Sequence, residues 1–570
     1  MLSESEVINI LNTNQFCIFF GSGISKQVGL PDGIEFGKNI LMALGASKDE
    51  AEYFLNNYHL ERMLYLLNSF LRYNIHKVYL ALNTSNYGNN HSALAKLNLE
   101  KFIPLLTTNQ DELVEIASDN RISYKNFVKI HGTLSDENSL RVTLDRVSKL
   151  SVSSYNFISE LTKNRKILVI GYSFSDYDLK YFFQTRMEDI YYCAFNQSDI
   201  ERYKILLGDK SNQLFDSNCV DVKTNSFLSD LAYSVGLTIP SYSSIDVSKV
   251  KELIKNKLIE WGNQYTELLK RMALSSLGKG LWKAEITFKI MNEIADNKNT
   301  PAFYRIVSYS EASNAAEALN KYNQQLSCLK KLKKINGVNK ILKSFFLSLF
   351  KANYHHIQDN CVNWLIALFY YKKAYKLYIK LKMVYLEQEH KNLIFNYFKS
   401  INHGIASTLE KLNRVYSTQN KLNKSMNLVN QYIDNENLSC DLDFLCEMLF
   451  IRAKIFIQKK EFNSAEKDYK DALEISVWIK KSHSVMQALR GIGRLMGIKQ
   501  NFKMSLEYIE RANNIKTDEP ILSARNKLTL SWLYKQMSKK SKEDGITIYQ
   551  KYRGKLRGYL DASLYLKRGK

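Results

Sequence analysis

A chain of 570 residues that is 45% hydrophobic and 24% charged, with only 5 prolines and 23 glycines, excludes collagen-like, mucin-like and disordered classes and is long enough for two or three cores. The net charge of +23 is unevenly spread: residues 1–240 carry 23 Lys+Arg against 27 Asp+Glu, which leaves 57 against 30 for residues 241–570. The longest apolar stretch, Asn360–Tyr371, is far short of the ~20 residues that cross a bilayer, and the opening MLSESEVINI has neither a basic n-region nor an h-region, so a cytoplasmic chain that meets no membrane is expected.

In chain order, the first 240 residues alternate short β-rich apolar runs with helical stretches. Strands are predicted at Gln15–Phe20, Phe102–Thr107, Phe127–Ile130, Lys166–Ile170, Tyr191–Phe195 and Val220–Lys223. Short apolar strands separated by helices imply a parallel sheet covered on both faces, with ligands beyond the carboxyl ends of the strands. An α/β domain is therefore expected over 1–238, with a linker at 239–247 around Ile239-Pro-Ser-Tyr-Ser-Ser-Ile245. From 248 to 570 the pattern is helical almost throughout.

A repeat runs through that second region. Leu422, Phe462 and Phe502 are spaced by 40, as are Ser425, Ala465 and Ser505, then Val429, Tyr469 and Ile509, then Tyr432, Ala472 and Ala512. Large, small, large, small at these offsets lie on one helix face, and the unit resembles the second helix of a tetratricopeptide repeat, whose usual period is ~34. An α-rich scaffold follows, suited to regulation, oligomerisation or partner binding. Its basic excess fits either a solvated lysine-rich surface or a face that meets nucleic acid or an acidic protein; no nucleic-acid motif accompanies it.

Seven scattered cysteines (Cys17, Cys193, Cys219, Cys328, Cys361, Cys440, Cys446) with no C-x-x-C pair speak for reduced thiols and against a zinc ribbon, and the histidines show no metal-ligand spacing, so no metal is expected. The chemistry is concentrated at strand ends. The first strand runs into Phe20-Gly-Ser-Gly-Ile-Ser25 and then Gly29-Leu-Pro-Asp-Gly33, where glycines between a strand and a helix let backbone approach a pyrophosphate. Asn90-His-Ser-Ala-Leu94 precedes a helix, Leu106-Thr-Thr-Asn-Gln-Asp111 follows the second strand, Lys129-Ile-His-Gly132 the third and Val169-Ile-Gly-Tyr-Ser-Phe-Ser-Asp176 the fourth. Asn109 and Asp111 also suit a cap for a helix starting at Glu112, and Ser173, Ser175 and Asp176 a cap for Tyr177–Gln184. His91 reads as a structural residue that fixes its own loop.

Taken in this order, the elements resemble the sirtuin (silent information regulator two) pattern over roughly residues 1–235, and are more similar to the bacterial sirtuin-like domains of anti-phage defence proteins than to protein deacylases. The resemblance implies a Rossmann-like sheet and NAD as substrate. Gly21, Ser22, Gly23 and Ser25 are then expected to cradle the phosphates, and Asp32 to lie near the nicotinamide end. Asn109 is expected to hold the ribose and the attacking water, flanked by Thr108 and Asp111 in the cofactor-binding set. His131 is expected to act in proton transfer, and Gly171, Ser173 and Asp176 to hold the adenosine ribose. Breaking the glycosidic bond builds positive charge on the ribose, which calls for oriented dipoles and a base of near-neutral pKa, roles that Asn and His fill.

Two departures matter. Residues 133–170 contain no cysteine where deacylases carry a zinc module, and Gly33-Ile34 stands where they have Phe-Arg. Both weaken a peptide-deacylase reading and leave water as acceptor. The expected activity is NAD glycohydrolysis to nicotinamide and ADP-ribose, regulated, and serving anti-phage defence by NAD depletion (abortive infection). The alternatives are an ADP-ribosyltransferase or deacylase, and a non-catalytic NAD or ADP-ribose sensor that signals through the helices. Expected partners are further copies of the chain, a companion ATPase or Argonaute, a phage-protein activator, or nucleic acid on the basic helices.

Overall fold

A computed structural model describes residues 2–543 apart from 124, 149, 175, 195–217, 222–225, 241–244, 281–283, 320, 358–359, 384–387, 417–418, 436–440 and 516–519. Ser175, Phe195, Lys223, the middle of the linker and Cys440 thus lie outside the described residues. The chain forms two units. The first comprises Met1–Asn56, Leu60–Tyr65 and Tyr73–Thr266, the second Asn57–His59, Leu66–Arg72 and Glu267–Lys570. No helix among the described residues is long and apolar enough to cross a membrane.

The first unit is built on six strands: β1 (Phe16–Phe20), β2 (Leu105–Thr107), β3 (Phe127–Lys129), β4 (Lys166–Ile170), β5 (Ile190–Ala194) and β6 (Cys219–Asp221). Every pairing is parallel and the order is β3-β2-β1-β4-β5-β6, the doubly wound order of Rossmann-like sheets. Because side chains alternate across a strand, the all-apolar β1 feeds two cores at once. Phe16, Ile18 and Phe20 join Leu168, Ile170 and the helices Asn89–Lys101 and Phe227–Ser234 on one face. Cys17 and Phe19 join Ile167, Val169 and Phe183 on the other.

One strand starts later than the sequence pattern predicts. Phe102 does not open β2; it closes the helix Asn89–Lys101 in the left-handed region (φ 53°), its ring 76% exposed, and pairing begins only after Pro104, which has no amide to donate. The unit boundary also differs from the expected one. Helix Val247–Asn263, expected in the second region, packs in the first unit against helix Gly33–Ala43: a Cβ on Gly262 would stand 2.4 Å from the Ala43 carbonyl oxygen, and Lys251 pairs with Glu35 at 3.0 Å. Its buried residues Val250, Ile254, Leu258 and Trp261 form an apolar stripe that reads the same whichever neighbour covers it.

In the second unit the 40-residue period is physical. Helices Leu442–Gln458, Phe462–Trp478, Ser482–Ile498 and Phe502–Asn514 begin every twenty residues. The joints turn through Lys460, Lys480 and Gln500, all in the left-handed region at φ 64°, 52° and 62°. Three-residue joints force neighbouring helices antiparallel. Ser425, Ala465 and Ser505 are all fully buried, as repeat positions where helices touch require. The aromatic of one repeat then fills the space left by glycine in the next: a Cβ on Gly491 would fall 2.4 Å from the Tyr469 ring.

Left-handed backbone costs a lysine about 1–2 kcal/mol, and glycine's extra chain entropy returns roughly half of that. Lys460→Gly is therefore expected to stabilise this unit by about 0.5–1 kcal/mol. The check is a urea melt with a raised midpoint and unchanged slope; a lowered midpoint refutes it.

Candidate active site

The carboxyl ends of β1 and β4 are where the strand order reverses, and the expected glycines meet there. Gly21 donates its amide to the Ile170 carbonyl at 3.1 Å and Gly23 to the Gly171 carbonyl at 2.9 Å. A Cβ on Gly21 would sit 2.5 Å from the Gly171 oxygen, and one on Gly23 2.7 Å from the Gly171 Cα. Gly171 itself has φ 63°. These glycines are thus required by the contact of two backbones, and the Gly21 and Gly23 amides are taken by strand-end carbonyls. That alters the expectation that they cradle phosphate through their own N–H groups. The helix that follows is 3₁₀, Ser22–Val28, with Ser22 exposed at its start.

Ser25 is turned inward. Gly88 donates its amide to His91 Nδ1 (3.2 Å), which leaves the proton of the neutral ring on Nε2, facing Ser25 Oγ at 3.1 Å. Ser25 then donates to Asp111 Oδ2 at 3.2 Å, while Asp111 Oδ1 accepts the Leu113 amide at 3.3 Å. Burial pulls the His91 pKa down to about 4 despite nearby Asp111, which keeps the ring neutral. His91 therefore fixes its loop, as its sequence position suggested. In this chain of donors the imidazole N–H donates a hydrogen bond to the serine hydroxyl, so the ring does not act as a base toward Ser25. Asp32 is likewise engaged: it caps helix Gly33–Ala43 through the Ile34 and Glu35 amides (3.0 and 2.8 Å) and pairs with Lys26 at 2.6 Å.

The β2 and β3 exits are locked together. Thr107 Oγ1 donates to the Phe20 carbonyl at 2.8 Å and accepts the Asn109 amide at 2.9 Å. Lys129, at the end of β3, reaches back to the Gln110 and Asp111 carbonyls, to Thr133 Oγ1 at 3.2 Å and to Glu115 Oε1 at 3.0 Å, in an ion pair whose two side chains are each 5% exposed. Thr107 pairs with Lys129, so Asn109 and His131 stand two residues beyond matched positions on adjacent strands. Both are buried, and Asn109 Nδ2 has no hydrogen-bond acceptor among the described residues. Thr108 beside it is half-buried.

His131 sits in a carboxylate cluster. Its Nε2 lies 3.4 Å from Asp178 and its Nδ1 3.9 Å from Asp176, both aspartates buried, with Arg141 3.6 Å from Asp178. Gly132 makes this possible: at φ 85° it turns the chain so tightly that a Cβ would meet the Ser139 carbonyl at 2.3 Å, and the returning loop lets Arg141 donate its amide to the His131 carbonyl at 3.0 Å. Burial alone lowers the His131 pKa, but Asp178 and then Asp176 outweigh it and hold it up at about 9. Glu61, on helix Leu60–Leu71, feels the same charges: burial, then Asp176, push it up to about 7. Asp176 is raised by burial and by Asp178, against the pull of His131. Tyr79 stays protonated well above its usual value through burial, Glu61 and Asp176.

Of the residues expected from the sequence, His131 and Asp176 lie in one cluster, which also holds Glu61, Arg141 and Asp178 and acts on Tyr79, none of which was among those expected. Asp178 was legible as the second acid of Ser-Asp-Tyr-Asp at a strand exit. Glu61 carries no local signal. Gly171 and Ser173 flank the β4 exit, both half-buried, and Asp176 precedes a 3₁₀ turn, Tyr177–Leu179, without its side chain capping it.

Residues 93–206 match the family model described as SIR2-like domain, which supports a sirtuin-like domain in the sheet unit. No curated protein matches the chain. Among solved structures, a signal transduction ATPase with numerous domains (STAND) protein with a tetratricopeptide repeat sensor from Pyrococcus horikoshii is similar at 13% identity, with 100% of this chain and 97% of that chain covered and a TM-score of 0.34. That score is too low to define a shared fold.

Proposed function

We propose that the chain is a regulated NAD glycohydrolase that uses water to split NAD into nicotinamide and ADP-ribose and that serves anti-phage defence by depleting NAD, with the sheet-bearing first unit as the catalytic part and the helical second unit as the regulatory one. The observation that carries the chemistry is the buried Asn109 Nδ2, without an acceptor among the described residues, past the end of β2, with a histidine set among carboxylates past the end of the neighbouring β3. A buried donor without an acceptor is costly unless a ligand supplies one, and a ribose hydroxyl or a bound water does. The support for NAD is the SIR2-like match.

In this reading water attacks C1′ of the nicotinamide ribose, the C1′–N bond breaks with its electron pair leaving on nicotinamide, and the water proton passes to the carboxylate cluster. His131, protonated at neutral pH in the free site, orients rather than accepts. Glu61, which burial and the charge of Asp176 hold above the usual carboxylate range, is the candidate proton acceptor in this reading. Ser22, Thr108, Gly171, Ser173 and Asp176 line the path of the dinucleotide, while Ser25, Asp32 and Asp111 hold its walls. Water is the acceptor because residues 133–170 supply no cysteine pair for the zinc wall of a peptide channel.

The deciding experiment is nicotinamide release by the purified chain, with and without extract from infected cells, beside Asn109→Ala. NAD that binds yet stays intact in every condition refutes hydrolysis in favour of a sensor; a mass increment of ADP-ribose on protein refutes it in favour of a transferase. The rate of nicotinamide release is further expected to rise with pH through about 7, as Glu61 loses its proton. Glu61→Gln is expected to remove that limb and cut kcat by about 100-fold or more. A variant that keeps the limb places the acceptor elsewhere.

A further inference from the structure

Helix Cys361–Met383 in the second unit is apolar on two opposite sides. Trp364, Leu368, Tyr371, Ala374, Tyr378 and Leu381 are buried against its neighbours. On the other side Val362 is 63% exposed, Leu365 44%, Phe369 62% and Ile379 44%. With Lys372 and Lys376, both exposed, these four keep a strict 3-4-3-4-3 spacing, the seam of a helix that pairs with another helix. The Asn360–Tyr371 run, too short for a membrane span, is thus the sequence trace of a helix packed on one side and uncovered on the other.

The geometry points to this outer seam as the docking site of an acidic amphipathic helix from a partner protein. The seam is divided along its length. Its first two turns carry Val362, Leu365 and Phe369, and the next three carry Lys372 and Lys376, flanked by Lys373 and Lys380, all four lysines exposed, with Ile379 at the far end. The helix holds no Asp or Glu. At ~1.5 Å rise per residue, a matching helix needs about 10 Å of apolar surface followed by about 10 Å of carboxylates, with one apolar residue beyond them to meet Ile379. A second copy offers no such match: parallel pairing sets lysines against lysines, and antiparallel pairing sets them over the other copy's apolar half, where no anion waits. A membrane surface asks for apolar and basic residues separated around the helix, whereas here they are separated along it.

The test uses the full chain and a fluorescein-labelled helical peptide of about 20 residues, with leucines on one half of its docking face and glutamates on the other. A control peptide of equal composition interleaves the two. Saturable binding of the patterned peptide is expected, weakening with salt. Phe369→Glu is expected to lower affinity about tenfold or more, and so is Lys372→Glu/Lys376→Glu, whose binding is regained by a peptide with lysines in place of glutamates. Circular dichroism confirms that both surface variants are folded. Equal binding of the control, no binding, a dimer that Phe369→Glu dissolves, or sedimentation with phosphatidylserine vesicles that Phe369→Glu abolishes each overturns the proposal, the last two in favour of a second copy or a membrane.

Discussion

His131→Ala is expected to reduce nicotinamide release by about 1,000-fold while NAD binding persists. The imidazolium is seated between Asp176 and Asp178, each within 4 Å, and it also lowers Glu61. Without it the Asp176, Asp178 and Glu61 carboxyls lose the charge that offsets them, with Arg141 left on the Asp178 side, and at least one takes a proton, so the proton acceptor of the proposed reaction is compromised. The variant should also differ from wild type in its pH-stability profile. The His131 pKa, raised from its ordinary 6.5 to about 9, contributes stability that is fully present below about 6.5 and lost as pH rises through about 9. The melting-temperature gap between wild type and variant should therefore be wide near pH 6 and closed above pH 9. An unchanged kcat removes His131 from the reaction; a gap that widens with pH means that the histidine is not the charged partner.

Lys129→Met is expected to cost the sheet unit about 3–5 kcal/mol, the price of breaking a buried ion pair from one side. Glu115 is left without its cation in a site where burial already raises its pKa, and the Gln110 and Asp111 carbonyls lose their common donor. Lys129→Met/Glu115→Leu removes both charges and should recover most of the loss. The pair also tethers the segment that carries Asn109, so the single variant should lose nicotinamide release as well, and the double variant should regain stability without regaining the full rate. A single variant as stable as wild type shows that Lys129 is dispensable to the fold.

The strands were legible because a parallel sheet buried on both faces demands unbroken apolar runs such as Phe16-Cys-Ile-Phe-Phe20, and the repeats because contact positions such as Ser425, Ala465 and Ser505 must stay small. Asn109 and His131 stand out in the sequence because they follow apolar strands, and ligands in such sheets sit at strand exits. Direction was not. Nothing in Phe20-Gly-Ser-Gly-Ile-Ser25 tells whether Ser25 faces a ligand or the imidazole of His91, 66 residues away. Glu61 escaped for the same reason: its neighbours Asp176 and His131 are distant in sequence, and only folding brings their charges within reach.

The joints at Lys460, Lys480 and Gln500 make chain length in the helical unit a countable quantity. Excision of Leu442–Lys481 would join Asp441 to Ser482, a helix start to a helix start, and set Val429 where Tyr469 now meets Gly491. Seams of one kind are rejoined to seams of the same kind, with a smaller side chain at one of them. Genes for this part of the chain can therefore grow or shrink by duplication and loss in steps of forty codons while each remaining hairpin keeps its neighbours. A change of ten or thirty codons has no such freedom, since it leaves half a helix facing the wrong way.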